Sequence, residues 1–139
     1  MTTLVTMSVG KQLCGIPVAD VRDVLNAQAI TRIPLAPPEI AGSLNLRGRI
    51  VTALDVRRRL NLSAAEPGAR RMSLVTEHEG DLYALLVDIV REVITLPAES
   101  LESNPPTLPH VWARHSTGIF QLPGGLLVML DVSRLLDLS

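Results

Sequence analysis

Residues 42–62 read GSLNLRGRIVTALDVRRRLNL, and residues 118–138 repeat the pattern without a gap, 76 positions further on, as GIFQLPGGLLVMLDVSRLLDL. The residues that recur as the same type are Gly42, Leu46, Gly48, Leu54, Asp55, Val56, Arg58, Leu60 and Leu62. A weaker echo relates LCGIPVADVRDVL, which begins at Leu13, to LYALLVDIVREVI, which begins at Leu82. Such self-similarity indicates a duplicated small module, so positions that differ between the copies are candidates for function.

The sharpest difference between the copies is at a tight turn. The second copy has Pro123 and Gly124 at the central positions, as a type II turn prefers, whereas the first copy has Arg47 and Gly48. A proline there predicts a backbone that needs no amide donor and only a φ near −60°. Arg47 is therefore predicted to be dispensable for folding and to present a guanidinium to a partner.

The pattern between the turns predicts short antiparallel strands. Residues 4–9 alternate between apolar and polar side chains, which is typical of a half-buried strand, and each copy yields about five such segments. Asp55 and Asp131 are each predicted to cap a short terminal helix, and in the first copy the arginines 57–59 of that helix are expected to face solvent. Residues 30–39 and the stretch ESNPPTLPH are rich in proline and are predicted to be loops.

We therefore predict an all-β chain in which two small five-stranded barrels, with short helices, arise from the duplication. The chain is expected to be one domain, residues 1–139, with a first barrel at about 1–62, a second at 72–139 and a connection at 63–71. Exchange of a strand or helix between the barrels is left open. A half of roughly 60–70 residues buries only a marginal core alone, so the halves are expected to share an interface.

Composition excludes several classes of partner. The formal net charge is −1, so the chain has no overall field to attract nucleic acid or anionic lipid. The single cysteine, Cys14, rules out an internal disulfide and suits a reducing compartment. The start, MTTLVTMSV, lacks a basic signal-peptide region, and no apolar run approaches 18 residues. We expect a cytoplasmic protein without direct membrane insertion.

No arrangement of residues points to catalysis, a cofactor or a metal. Asp55 and Asp131 are better explained as helix caps than as an acid–base pair. His110 and His115 lack a convincing third metal ligand, and Cys14 lacks an activating histidine. Gly124 and Gly125 form a hairpin turn and not a phosphate-binding loop. The sequence predicts no enzyme, no cofactor and no metal site.

The arginines of the first copy offer a basic patch as an alternative. Residues 57–59 and 70–71 are all arginine, but nucleic-acid-binding barrels usually add exposed aromatic side chains, and this chain has three aromatic residues in total. A solvated helix face is the simpler interpretation. For Arg47 and Asp23, a plain surface ion pair would contribute roughly 0.2–1 kcal/mol. The Pro123 comparison favours instead a recognition point in the seam between the barrels.

Four blocks of sequence, taken in order, resemble the CheW family. They are residues 10–25 (GKQLCGIPVADVRDVL), 42–60 (GSLNLRGRIVTALDVRRRL), 85–97 (LLVDIVREVITLP) and 118–136 (GIFQLPGGLLVMLDVSRLL). The second block carries the family's Gly-x-x-Asn-Leu-Arg-Gly core. The resemblance implies two five-stranded SH3-like barrels, and a non-catalytic chemotaxis adaptor that couples the cytoplasmic tips of methyl-accepting chemoreceptors to the regulatory domain of the histidine kinase CheA.

The resemblance also implies where the partners bind. In the family the receptor's helical tip lies in the groove between barrels, near residues that correspond to Arg47, Val21 and Asp23. Asn45 and Gly48 complete the Asn-Leu-Arg-Gly block, and we add Ile33 and Leu44, with Val21, as an expected apolar floor. Asp23 stands where the family more often has glutamate, which shortens its reach towards Arg47 by one methylene group.

The expected mechanism is positional. Two separate faces would hold kinase and receptor at membrane-associated arrays and raise their effective concentration, with the kinase face on apolar strand surface of copy one. The alternatives are an adaptor of a parallel pathway that controls pili, development or gene expression, and a small barrel that binds nucleic acid.

Overall fold

The computed structural model describes residues 1–138 and consists mainly of short strands. The strands are β1 (Thr2–Val9), β2 (Gln12–Pro17), β3 (Asp23–Leu25), β4 (Ile40–Leu46), β5 (Arg49–Asp55), β6 (Met72–His78), β7 (Asp81–Val87), β8 (Ile89–Leu96), β9 (Ser116–Leu122) and β10 (Gly125–Leu130). The helices are α1 (Val56–Arg59), α2 (His110–Arg114) and α3 (Val132–Leu136), with 3-10 turns at Val18–Asp20 and Ala98–Ser100. Helix α2 was not predicted and directly follows the proline-rich loop.

Two five-stranded sheets contain all ten strands. In sheet I the order is β8-β1-β2-β10-β9, and in sheet II it is β3-β6-β7-β5-β4. Each sheet is mostly antiparallel and has one parallel contact, β10 with β2 in sheet I and β5 with β7 in sheet II. The prediction of an all-β chain with two five-stranded units and short helices is confirmed.

The sheets do not follow the halves 1–62 and 72–139. The hairpin β1–β2 pairs with β8 and β10 of the second half, and the hairpin β6–β7 pairs with β3 and β5 of the first half. Sheet II is therefore continuous in sequence, from β3 to β7, and is inserted into sheet I. The β1–β2 hairpin of the first copy therefore lies in the sheet of the second copy, and the β6–β7 hairpin of the second copy lies in the sheet of the first. A hairpin forms from residues that are close in sequence, whereas tertiary packing decides which other strands it pairs with.

The duplication is visible in matching backbone details. Gly42 and Gly118 adopt φ values of 149° and 153°, which favour glycine. A Cβ at Gly42 would lie 2.2 Å from the carbonyl oxygen of Thr31, and a Cβ at Gly118 would lie 2.4 Å from that of Glu102. Each glycine thus lets an irregular segment form a β-bridge beside the edge strand, Thr31 with Ser43 in one copy and Glu102 with Ile119 in the other.

The terminal helices begin as predicted. The Asp55 carboxylate accepts a hydrogen bond from the Arg58 amide at 3.3 Å, and the Asp131 carboxylate accepts one from the Arg134 amide at 3.1 Å. These contacts satisfy amides that the short helices leave without an intrahelical partner. Both helices follow the last strand of their copy, but α1 packs on β7 of its own sheet, whereas α3 packs on β6 of the other sheet.

The largest apolar core lies between the sheets. It combines Met7 and Cys14 of sheet I with Leu54 and Leu85 of sheet II, and all four are at most 2% exposed. Each sheet also has a smaller core in its own interior. This core surrounds Val51 in sheet II and Phe120 in sheet I. The expectation that the halves share an interface agrees with this arrangement, since neither sheet alone would cover the central core.

Candidate functional site

Arg47 and Asp23 meet at the surface of sheet II. Nη2 of Arg47 lies 3.2 Å from Oδ2 of Asp23, and their side chains are 79% and 28% exposed. Aspartate is therefore long enough for this contact, despite its shorter reach. The guanidinium is held at one edge and remains accessible to a partner over most of its surface.

The turn that carries Arg47 has a left-handed backbone. Arg47 has φ of 52° and Gly48 has φ of 84°, as the central residues of a type I′ hairpin require. Oδ1 of Asn45 accepts a hydrogen bond from the Gly48 amide at 3.0 Å and so fixes the turn. Asn45 and Gly48 are thus explained by the turn itself.

This geometry corrects the comparison with Pro123. A proline cannot adopt the positive φ of Arg47, and Gly124 lacks the left-handed φ that a type II turn requires. The two turns therefore differ in backbone type, and the inference that position 47 needs a φ near −60° is wrong. The left-handed backbone costs an arginine energy that asparagine or glycine would not incur, as it also does for Glu79, with φ of 52°, in the β6–β7 turn.

A cleft of about 220 Å³ lies beside the ion pair. Its walls combine charged and apolar side chains, namely Arg22, Asp23, Leu46, Arg47, Arg49, Val75, Glu77 and Leu82. Arg22 and Glu77 form a second, longer ion pair at 3.4 Å across exposed side chains. The cleft thus offers three arginines, two carboxylates and a short apolar wall to a partner.

The structure brings Arg47 and Asp23 together but places the predicted floor elsewhere. Leu44 is only 5% exposed in the interior of sheet II, Val21 packs against the central core, and Ile33 lies in a different cleft. The apolar surface comes instead from two half-buried residues that the sequence analysis did not select, Leu46 and Leu82, while Val75 behind them is only 1% exposed. Alternation along β4 and β7 could have suggested them, but not that these strands meet here.

Arg47 also does not lie in the seam between the sheets. All residues that line its cleft belong to sheet II or to the segment just before β3. The seam holds a separate cleft of about 290 Å³, where Asp20 and Glu77 face residues of β10 and α3. Because Glu77 lines both, the two clefts adjoin.

Several arginines of the proposed basic patch serve internal contacts. Arg57 makes two hydrogen bonds to Asp88, at 2.8 and 2.7 Å, and Nε of Arg59 donates to the carbonyl of Leu135 at 2.8 Å. Arg71 lies 2.9 Å from Asp55. The expectation that Arg57 and Arg59 face solvent is wrong, since they tie α1 to sheet I and α3. Of the three helix arginines, only Arg58 remains exposed.

The side chains considered for catalysis and metal binding are separated or buried. Cys14 is fully buried, and burial together with the charge of Asp88 raises the pKa of its thiol, which leaves it unreactive. Within residues 1–138, no three His, Cys, Asp or Glu side chains are grouped as metal ligands. In the same part of the chain, no helix is long and apolar enough to cross a membrane.

Comparison with protein families matches residues 3–139 to the CheW-like domain. Among individual relatives, the chemotaxis protein CheW of Treponema pallidum is 26% identical over 136 residues, which cover 95% of this chain and 80% of the relative. Chemotaxis protein CheW of Bacillus subtilis is 29% identical, with coverage of 96% and 85%. Protein FrzA of Myxococcus xanthus is 28% identical, with coverage of 93% and 81%.

The fold comparison leads to the same group. The crystal structure of the scaffolding protein CheW from Thermoanaerobacter tengcongensis superposes with a TM-score of 0.88 at 27% sequence identity. The match covers 99% of this chain and 89% of that structure. Sequence and fold therefore agree over nearly the whole chain.

Proposed function

Because this chain belongs to the CheW-like domain family, we propose that it is a chemotaxis adaptor that couples the cytoplasmic tips of chemoreceptors to a CheA-type histidine kinase. The adaptor is non-catalytic and acts in the cytoplasm, at membrane-associated receptor arrays. Its contribution is to position two partners, so that binding one raises the local concentration of the other.

The observation that carries this proposal is the exposed, left-handed Arg47 beside the cleft of sheet II. Its side chain is 79% exposed, although Asp23 holds it in place. The backbone would be more stable with asparagine at this position, so stability does not explain the arginine. We attribute the arginine to recognition of a partner, because it is an exposed cation beside the cleft of sheet II.

The chemistry of the cleft suits a helical hairpin with acidic side chains. Arg22, Arg47 and Arg49 present guanidinium groups that bind carboxylates in a bidentate manner. Leu46 and Leu82 supply a short apolar wall against which one ridge of a helix can pack. We assign the receptor tip to this cleft on these grounds, and the adjoining seam would extend the contact.

Titration calorimetry with two purified partners tests the proposal. The partners are the regulatory domain of a CheA-type kinase and a cytoplasmic chemoreceptor fragment, both from the same organism as this chain. We expect saturable one-to-one binding of each, and binding of both together. Absence of heat, and of a complex in gel filtration, with every protein folded, would contradict the adaptor assignment.

A further inference from the structure

Leu35 occupies an unusual position in the proline-rich loop before β4. The Ala36 amide donates a hydrogen bond to the carbonyl of Ile33 at 3.3 Å, and Leu35 has φ of 62°. With Pro34 at the second position and a left-handed residue at the third, residues 33–36 form a type II turn. That third position normally holds glycine or asparagine, because a side chain with Cβ is strained there.

Leu35 is also fully exposed, with a relative exposure of 104%. A leucine at this place therefore adds backbone strain and leaves an apolar side chain in water. Neither effect helps folding, and both would be offset if the side chain entered an apolar socket of another protein. The loop thus presents a single apolar anchor.

The anchor is remote from the Arg47 cleft. Ile40 lines the cleft beside Leu35, whereas Leu46 lines the cleft beside Arg47, and these two residues are the ends of β4. Six residue steps along a strand separate them by about 20 Å. One helical tip seated at Arg47 would not reach Leu35, so the loop is available to a second partner.

The other exposed apolar residues of sheet II belong to the Arg47 end. Within residues 23–87 the exposed large apolar side chains are Val24, Ile33, Leu35 and Ile50. Val24 follows Asp23 directly, and Ile50 pairs across the hairpin with Asn45. Ile33 and Leu35 are the exposed large apolar side chains of this segment that lie apart from that end, so the loop offers a second apolar surface on sheet II.

Charge around the loop indicates the chemistry of the partner. Leu35 stands at the rim of a cleft of about 300 Å³, whose charged lining residues are Arg32, Arg58 and the buried Asp55, which is paired with Arg71. Arg32 and Arg58 are exposed, and neither side chain has an ion-pair partner in the described part of the chain. A complementary surface would offer an apolar socket flanked by carboxylates.

We propose that Leu35, supported by Ile33 and flanked by Arg32 and Arg58, is the anchor by which this chain binds the kinase regulatory domain. The inference rests on the proposed adaptor function, since it assigns the kinase to the face that the receptor cleft leaves free. Leu35 enters an apolar socket of that domain, and the two arginines face carboxylates at its rim.

Variants at position 35 test this, because they separate folding from binding. Leu35→Asn removes the apolar side chain and suits the left-handed backbone, whereas Leu35→Met keeps an apolar side chain of similar size. Calorimetry would compare wild type, both variants and Arg58→Glu against the kinase regulatory domain and, separately, against the receptor fragment. Thermal unfolding would establish that all four proteins fold.

We expect Leu35→Asn to bind the kinase domain at least about tenfold more weakly than wild type, and Leu35→Met to stay within about threefold. Arg58→Glu should also weaken kinase binding, and all variants should bind the receptor fragment as wild type does. Equal kinase affinity of wild type and Leu35→Asn would overturn this inference and leave the adaptor function intact. A wild type that binds neither partner would overturn both.

Discussion

Asp23 and Arg47 join the two edges of one sheet. Asp23 begins β3, which is one edge strand of sheet II, and Arg47 lies in the turn that follows β4, the other edge strand. Their side-chain contact at 3.2 Å shows that the sheet curls until its edges approach. The same pair thus helps to close the barrel and presents a guanidinium at the point of closure.

Reversal of the charge at position 47 should separate stability from function. In Arg47→Glu we expect the melting temperature to stay near that of wild type, because an ion pair this exposed contributes at most about 1 kcal/mol. Receptor-dependent activation of the kinase should be lost, since two carboxylates would then face an acidic partner. Thermal unfolding and a reconstituted kinase assay measure the two effects. An unfolded variant would show that Arg47 is structural.

The exchanged pair is the matched control for that experiment. Asp23→Arg combined with Arg47→Glu restores an ion pair of reversed direction between the same two positions. If closure of the barrel were the only role of the pair, this double variant would activate the kinase as wild type does. We expect it to fold and to remain inactive.

Asparagine at position 47 should stabilise the turn while it abolishes recognition. Arg47→Asn places Asn-Gly at the centre of a type I′ hairpin, which is the preferred pair for that turn. Relief of strain at φ of 52° and loss of the ion pair largely offset each other. We expect a free energy of unfolding between that of wild type and about 1 kcal/mol above it. Urea unfolding would measure this, and a loss above about 1 kcal/mol would contradict the strain argument.

The contact between Arg57 and Asp88 should matter more to stability than the surface pairs. The Asp88 carboxylate accepts two hydrogen bonds from Arg57 and one, at 3.1 Å, from the Gly10 amide, so it links α1 to the β1–β2 hairpin. We expect Asp88→Asn to lower the free energy of unfolding by about 1–3 kcal/mol. Glu77→Gln, which breaks an exposed pair, should cost less than about 0.5 kcal/mol. If the two variants lost similar amounts of free energy of unfolding, the Arg57–Asp88 contact would be no more important to stability than the exposed pair.

Glycine substitutions should rank by steric contact. In Gly42→Ala and Gly118→Ala the new Cβ would collide with a backbone carbonyl, so we expect losses above about 2 kcal/mol. At Gly48 no atom lies within 4 Å, and only the φ of 84° is unfavourable, so Gly48→Ala should cost about 1 kcal/mol. Chemical denaturation of the three variants gives the order. A Gly48→Ala loss as large as the others would contradict it.

Acidification should destabilise the protein through His115. Burial, and then the charges of Arg59, Arg114 and Arg134, lower the pKa of His115, although its ring nitrogen Nδ1 lies 2.7 Å from the Val111 carbonyl. The unfolded chain therefore binds the proton more tightly, and the free energy of unfolding should fall as pH decreases through about 6.5.

Replacing the imidazole of His115 tests whether this residue causes the loss of stability at low pH. His115→Gln should flatten the dependence of the free energy of unfolding on pH between about 5 and 7. The slope, measured by urea unfolding at several pH values, is the readout, and an unchanged slope in His115→Gln would count against this origin.

Apart from Asp23, which the family resemblance supplied, the part of the site that the sequence predicted is the part that is local. Asn45, Arg47 and Gly48 lie within four consecutive residues, so their turn could be recognised from spacing, although not its backbone type. The capping roles of Asp55 and Asp131 are equally local. The apolar wall could not be predicted in this way, because Leu46 and Leu82 come from two different strands, β4 and β7.

The sequence by itself determined the duplication, the short strands, the helix caps and the Arg47 turn, because each depends on residues that are neighbours along the chain. The tertiary structure decided which hairpin lies in which sheet, because the β1–β2 and β6–β7 hairpins exchange partners between the copies. It also placed Asp23 beside Arg47, and directed Arg57 and Arg59 to internal partners and not to solvent. These contacts depend on how the apolar faces of the two sheets pack against each other. The spacing and periodicity of residues along the chain do not predict that packing.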